Sequence, residues 1–240
     1  MSFPMSDASL APAVSGGILE IQRLLRRRLV PEMQRWFISE FAFLSKNVTL
    51  VGAMIEAQCD RYDQAFKDAI ADMDSYDADR YADAMVEETA FIEMLPQLQW
   101  RSQYLMIYAT FEHALLQVRT IARQRFGLPK QEPMSRHSAL ERTKLCMKEC
   151  GVQIDWSTPD VERINIHSVL RNKISHADGV FPAEGFSNTR VGTLPGVDVK
   201  SEDDAVTVHL GAETLLDAIA AMHGLLIRLA NSEHPDLASP

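Results

Sequence analysis

Between Leu98 and Phe126 the chain carries apolar residues on more than one side of a helix. Leu105, Tyr108, Phe111, Leu115, Val118 and Ile121 recur at spacings of three and four. A helix with so broad an apolar surface is satisfied only when neighbours cover it, so this spacing predicts a central element of a helical bundle. Gly127 and Pro129 end it. The covering helices are predicted over Ser135–Cys150, closed by Gly151, over Asp160–Gly179, and over Ala212–Asn231, where Leu215, Leu216, Ile219, Met222, Leu226 and Leu229 share a face. The chain between the last two has a different texture. Pro182, Gly185, Gly192, Pro195 and Gly196 predict an extended loop over 180–196. Residues 197–210 alternate on both sides of an acidic turn, which predicts a small β-hairpin before the last helix. The expected class is all-α.

Upstream, residues 1–16 are rich in Ser, Ala and Pro and predict a disordered tail, as do residues 232–240. A helical N-terminal extension is expected over 17–95. Its first helix, Gly17–Leu29, carries Ile18, Ile21, Leu24, Leu25 and Leu29 beside Arg23, Arg26, Arg27 and Arg28. Pro31 opens a second segment through Trp36, Phe37, Phe41, Phe43 and Leu44, read as a packing face. Helix continues or restarts over Val48–Met73. After the break at Asp72–Asp77, a helix capped by Asp77 or Asp79 runs over Tyr81–Leu95, and Pro96 marks the join to a core domain over 96–231.

Cysteine usage and charge bound the setting. The three cysteines Cys59, Cys146 and Cys150 form no Cys-x-x-Cys pair, which suits reduced thiols in a cytosol, and Cys146 and Cys150 read as packing residues. No apolar run reaches the eighteen or so residues that span a bilayer, and the start of the chain lacks the basic-then-apolar order of a signal peptide, so a cytoplasmic protein without membrane contact is expected. The net charge of −9 argues against indiscriminate nucleic-acid binding, but the charge is segregated. Twelve acids between Glu56 and Glu93 face only Arg61, Lys67 and Arg80, whereas between Gln99 and His176 cations outnumber seven acids. A phosphate ligand responds to that local surface more than to the total.

The helix Asp160–Gly179 ends in Arg171-Asn172-Lys173-Ile174-Ser175-His176. Thr158 or Asp160 caps its start, Pro159 suits the first turn, Asp160 and Glu162 complement the positive end of the dipole, and Gly179 supplies the left-handed stop. Ile166, Val169, Leu170 and Ile174 mark its buried face. Asn172 and His176 lie one turn apart on one side, with Arg171 alongside. Imidazole, guanidinium and carboxamide together suit acid–base work on a phosphodiester: the His moves protons, the Arg meets phosphate, the Asn orients. Cations at a helix C-terminus also serve stability alone, through the dipole.

This stretch resembles the Arg-x4-His motif, with a polar residue after the Arg, of the HEPN superfamily (higher eukaryotes and prokaryotes nucleotide-binding domains). The segment Pro96–Leu115, with Tyr108, Phe111 and Glu112, resembles the first core helix of such domains. The resemblance covers roughly residues 96–231 and implies a HEPN-like four-helix bundle core. It further implies a metal-independent endoribonuclease, a toxin or antiviral defence component acting as a homodimer on RNA, with a possible cognate antitoxin or other partner protein. Arg171, Asn172 and His176 are the implied catalytic residues, with Glu112 and Tyr108 supporting them. From the residues themselves, Glu112 inside an apolar helix needs a partner, and Arg171 fits. Arg119, Arg123 and Lys173 are read as substrate-binding cations. His167, one turn before Arg171, either lines the same groove or is a satisfied surface residue. The alternative is a non-catalytic HEPN-like module that binds nucleotides or a protein.

Other chemistries lack their signatures. The chain contains no Gly-x-x-x-x-Gly-Lys, Gly-x-Gly-x-x-Gly, His-Glu-x-x-His or Gly-x-Ser-x-Gly, and its seven histidines show no metal-ligand spacing. Neither a metal nor another cofactor is expected.

Overall fold

The computed structural model describes residues 33–129 and 137–232. The helix expected over Gly17–Leu29, the two tails, and the cations Lys130 and Arg136 lie outside the described residues. The elements run α1 (Gln34–Ile70), α2 (Ser75–Ala84), α3 (Val86–Arg125), α4 (Ala139–Glu149), α5 (Pro159–Ala177), β1 (Val180–Pro182), α6 (Phe186–Thr189), a 3-10 turn (Val191–Thr193), β2 (Val197–Glu202), β3 (Ala205–Leu210) and α7 (Ala212–Asn231). The fold is mostly helical, with a small three-stranded antiparallel sheet before the last helix.

The chain divides into two units by its internal contacts, with α3 and α7 contributing to both. The larger comprises Trp36–Ala114 and Trp156–Leu225. Its interior gathers Phe37, Phe41, Leu44 and Val48 of α1, and Tyr104, Ile107 and Phe111 of α3. Ile164 and Leu170 of α5, Val206 and Val208 of β3, and Leu215, Met222 and Leu225 of α7 complete it. Phe43 points the other way and is 64% exposed. At 3.6 residues per turn it sits roughly 200° from Phe41, so the expected aromatic face is split between core and surface.

Of the two readings at Val48, continuation holds: α1 is one 37-residue helix through Lys46 and Val48. The boundary expected at Pro96 is absent, and α3 is one 40-residue helix that carries Pro96 inside it. Proline in a helix interior removes a backbone bond and costs about 3 kcal/mol, which is why a join was expected there. Here the position is secured by its neighbour: Gln97 donates from Nε2 to the Leu210 carbonyl at 3.0 Å and accepts the Leu210 amide at 2.8 Å on Oε1. Length and composition would also let α1 cross a bilayer, since a window of eighteen residues reaches a mean hydropathy of 1.2, a test that the core helix of a soluble protein passes too. The expectation that no run is long enough is corrected to that extent. The acid before Ser75, Asp74, caps α2 through the Asp77 amide, so the cap falls three residues before Asp77.

The hairpin is present, with β2 and β3 paired from Val197↔Leu210 to Glu202↔Ala205. The segment read as a loop contributes a third strand, β1, paired with β3 through Phe181↔Val206, giving the order β1-β3-β2. β1 is too short for a periodic signal. It exists because Phe181, 2% exposed, belongs to the core and because Asp178 and Gly179, both at positive φ, turn the chain straight from α5 into the sheet. Gln97 then continues the pairing of β3 beyond the end of β1, so the backbone of Leu210 is not left open.

The smaller unit is built from Leu115–Asp155 and the chain from Leu226 onward. α4 begins with a capping box in which Ser138 and Glu141 each receive the other's amide. Backbone and hydroxyl bonds from Ser138 hold the Glu141 carboxyl below the usual range. Cys146 and Cys150 are free and buried, and burial with the neighbouring thiol pushes Cys150 up to about 12, so both are packing residues.

His223 of α7 stacks on Phe41, with ring centroids 5.8 Å apart, and its Nε2 is buried without a hydrogen-bond partner. Burial pushes its pKa down. The unfolded chain takes up a proton near its ordinary value of about 6.5 while the folded protein resists it, so the contribution is full above that value and is lost as pH falls toward the depressed one. His223→Phe keeps the stack and removes the titration. We expect its urea midpoint to fall less than the wild type's between about pH 7.5 and 5. Parallel losses in the two proteins would place the acid sensitivity elsewhere.

Candidate functional site

The larger unit brings α3 and α5 side by side. A buried polar chain fixes their register. The Tyr104 phenol lies 3.0 Å from both Nδ1 and the backbone carbonyl of His167, and His167 Nε2 lies 3.1 Å from Asp217 Oδ2 on α7. Arg163, on the exposed side, bonds the other Asp217 oxygen. His167 is fully buried, and burial pushes the Tyr104 phenol well up, so that group stays neutral. His167 therefore belongs to the interior rather than to a groove or to the surface. The sequence could have hinted at this, because a His at the i−4 position of Arg171 sits between Ile164 and Leu170 on the apolar face.

One turn further along both helices the site opens. Arg171 Nη2 reaches Glu112 Oε2 at 3.2 Å, Nη1 donates to Asn172 Oδ1 at 3.1 Å, and the guanidinium carbon lies 5.4 Å from the centre of the Tyr108 ring. A cation over an aromatic face, tied to a carboxylate at one edge, is held in a defined plane. Tyr108 is itself buried, which pushes its pKa up, and the Ser168 hydroxyl beside it works in the opposite direction. The site side chains of α3 are thus Tyr108 and Glu112, and those of α5 are Ser168, Arg171 and Asn172. Ser168 gave no signal in the sequence beyond its place three residues before Arg171.

His176 lies one turn past Asn172, exposed, with no hydrogen bond or ion pair among the described residues. α5 itself ends as its composition requires: Pro159 occupies the first turn, Thr158 stands at the N-cap, and Asp178 takes the left-handed C-cap position one residue before Gly179. Its buried residues include Val161, Ile164, Ile166, Leu170 and Ile174, whereas Val169 faces outward at 39% exposure.

The three cations read as substrate contacts each have their own local setting. Arg119 is buried and donates to the Ala139 carbonyl at 3.0 Å and to Thr143 Oγ1 at 3.1 Å, closing α3 onto α4 within the smaller unit. Arg123 in the same unit is bound to Glu149 and to the Pro129 carbonyl. Both guanidinium groups are consumed by structure, which corrects that reading. Lys173 lies on the far side of α5 from Arg171, with Nζ 5.6 Å from the Phe181 ring centre. Among the described residues no three His, Cys, Asp or Glu side chains gather in a way that could hold a metal ion.

No family model, curated protein or solved structure matches this chain.

Burial separates the two polar clusters energetically. Asp217→Ala strands a fully buried imidazole N–H, at a cost of about 1–3 kcal/mol. Arg171→Ala and Glu112→Gln disturb a pair whose side chains are 32% and 36% exposed, worth less than about 1 kcal/mol. Urea unfolding of the three variants should rank them in that order. An Arg171→Ala variant as destabilised as Asp217→Ala would make the arginine a structural residue.

Proposed function

We propose that this protein is a metal-independent endoribonuclease of HEPN type, acting in the cytoplasm as a toxin or antiviral defence component. On this reading α3, α4, α5 and α7 are the four core helices, and α1 and α2 belong to the extension. The observation that carries it is the Arg171 guanidinium, held over the Tyr108 ring by Glu112 and Asn172 near the end of α5, five residues before an uncommitted His176. A guanidinium pinned at one edge keeps its remaining N–H groups directed outward for a phosphate.

The chemistry follows from those groups. His176 takes the proton of an RNA 2′-hydroxyl, and the 2′-oxygen bonds to the adjacent phosphorus as the bond to the 5′-oxygen breaks. The leaving oxygen receives a proton from the imidazole of a second copy in a symmetric dimer. Arg171 stabilises the charge that builds on the non-bridging oxygens. The products are a 2′,3′-cyclic phosphate and a 5′-hydroxyl, and DNA, lacking the nucleophile, is inert.

A second reading has its own support. Phe43, Leu50 and Met54 of α1 and Phe91, Met94 and Leu98 of α3 are large apolar side chains left exposed. A groove of about 520 Å3 between these helices is lined by Leu50, Met54, Leu95 and Gln99 among others. Surfaces of that kind suit a protein partner, whether a second copy or an antitoxin. They favour a binding module if catalysis is absent.

Purified protein incubated with RNA separates the two. The nuclease reading expects cleavage that persists in EDTA, yields cyclic phosphate ends, and falls at least a hundredfold in His176→Ala and Arg171→Ala while helical circular dichroism is retained. Mixing Arg171→Ala subunits with wild type should lower activity out of proportion to dilution if the cleft is composite. Cleavage that vanishes on chelation and returns with magnesium would rule the mechanism out, and undiminished cleavage by His176→Ala would rule out the residue.

A further inference from the structure

Among the described residues, none pairs with the charge of Arg101. It sits on the same stripe of α3 as Tyr108 and Glu112, seven and eleven residues before them, which is two and three helical turns. Its Nε is buried without a hydrogen-bond partner, and among the described residues its guanidinium makes no hydrogen bond or ion pair. It lies against the turn that follows the motif helix: a Cβ added to Gly179 would stand 3.7 Å from Arg101 Nη2. Gly179 is three residues past His176.

A lysine and a histidine adjoin it. The register of the hairpin sets His209 opposite Asp198, and Lys200 two residues along the same strand as Asp198, so His209 and Lys200 share a sheet face. Burial, and then the charges of Lys200 and Arg101, push the His209 pKa down. Arg101, Lys200 and His209 therefore lie close together, with the Asp198 carboxylate opposite His209. Asp198 is partly engaged, since its Oδ1 accepts the Val199 amide. Two neighbouring cations, one with an orphaned donor, beside an imidazole that resists protonation are an arrangement that an anion relieves.

We infer that Arg101, with Lys200 and His209 beside it, forms a phosphate subsite for the nucleotide next to the scissile one. The inference rests on the nuclease reading for its substrate, single-stranded RNA, and adds where the strand runs: from Arg171 along α3 toward the sheet, roughly 10 Å away by the rise of two helical turns. Arg101 contributes charge and bidentate geometry, Lys200 a mobile second charge, and Gly179 the space beside the guanidinium. The site lies wholly within the larger unit, so it is complete in one subunit.

The test uses the whole chain and a short single-stranded RNA carrying 2′-O-methyl groups throughout, which cannot be cut, with binding read by fluorescence anisotropy over a range of salt. Arg101→Gln should bind about five- to tenfold more weakly, with a salt slope shallower by about 0.7, the increment for one phosphate contact on a single strand. Lys200→Gln, on an exposed strand where folding is not at risk, should weaken binding in the same direction and less. Lys67→Gln, in the acidic segment, should change nothing. Unaltered affinity and slope in folded Arg101→Gln, or in Lys200→Gln should Arg101→Gln fail to fold, would overturn the subsite, as would a wild type that does not bind the oligomer. Cleavage of unmodified RNA distinguishes the two claims. Cutting with no dependence on Arg101 removes the subsite and leaves the nuclease, whereas Arg101-dependent binding without any cutting does the reverse.

Discussion

The contact on which the larger unit depends is the one between Tyr104, His167 and Asp217. A fully buried imidazole is tolerated only when both ring nitrogens have partners, and those partners come from two different helices, α3 and α7. Sliding α5 by one residue against either neighbour would strand polar atoms in the core. The apolar side chains around it, Ile164 and Leu170, would accept several registers, because dispersion is not directional. The polar chain selects one. One turn further on along both helices, at the edge of solvent, Arg171 meets Tyr108 and Glu112 on the same seam. The site is therefore an outward continuation of the core register, and its geometry is inherited from buried bonds.

That origin explains which parts were legible in the sequence. Helix α5 could be read closely, because its proline, acids, apolar stripe and glycine all mark the same span. The Arg171–Glu112 pair was also within reach, since a carboxylate inside an apolar helix demands a cation. Arg119 was misread for a physical reason. On sequence it is one more cation in a basic stretch, yet a guanidinium can be buried whole when a carbonyl and a hydroxyl receive it, and Ala139 and Thr143 of α4 do so. His167 failed in the same way, since its partners lie 63 and 50 residues away. Pro96 signalled a break that local rules require, and long-range bonds from Gln97 to Leu210 outweighed it. β1 had only three residues in which to show a period.

Charge segregation takes on meaning once the elements are placed. The acids between Glu56 and Glu93 occupy the end of α1, all of α2 and the start of α3. Beyond Gln99 the same helix α3 turns basic and then passes beside α5. One continuous 40-residue helix thus carries a gradient from acid to base along its length. A polyanion approaching this unit is repelled from the acidic end of α3, and the effect is strongest at low salt.

Arg101 escaped a reading by motif because nothing in its neighbourhood in sequence marks it. Trp100 is a core residue, Ser102 and Gln103 are ordinary helix positions, and a single arginine on a helix is most often solvated. Its setting arises only when Gln97 holds α3 to β3 and the left-handed pair Asp178–Gly179 turns α5 into β1. Those two constraints bring the end of the motif helix, the sheet and Arg101 to one place. Replacing Gly179 by alanine would test that dependence from the other side. The residue stands at φ +76°, and a Cβ there would press to 3.2 Å on the Val208 carbonyl, so the turn itself should be strained by about 1–2 kcal/mol. A turn displaced in that way moves His176 and the face of Arg101 together. Loss of RNA binding and of cleavage in parallel, in a variant that alters no charge, is then the outcome that a shared scaffold requires. If binding survived while cleavage fell, the two cations would not depend on the same turn.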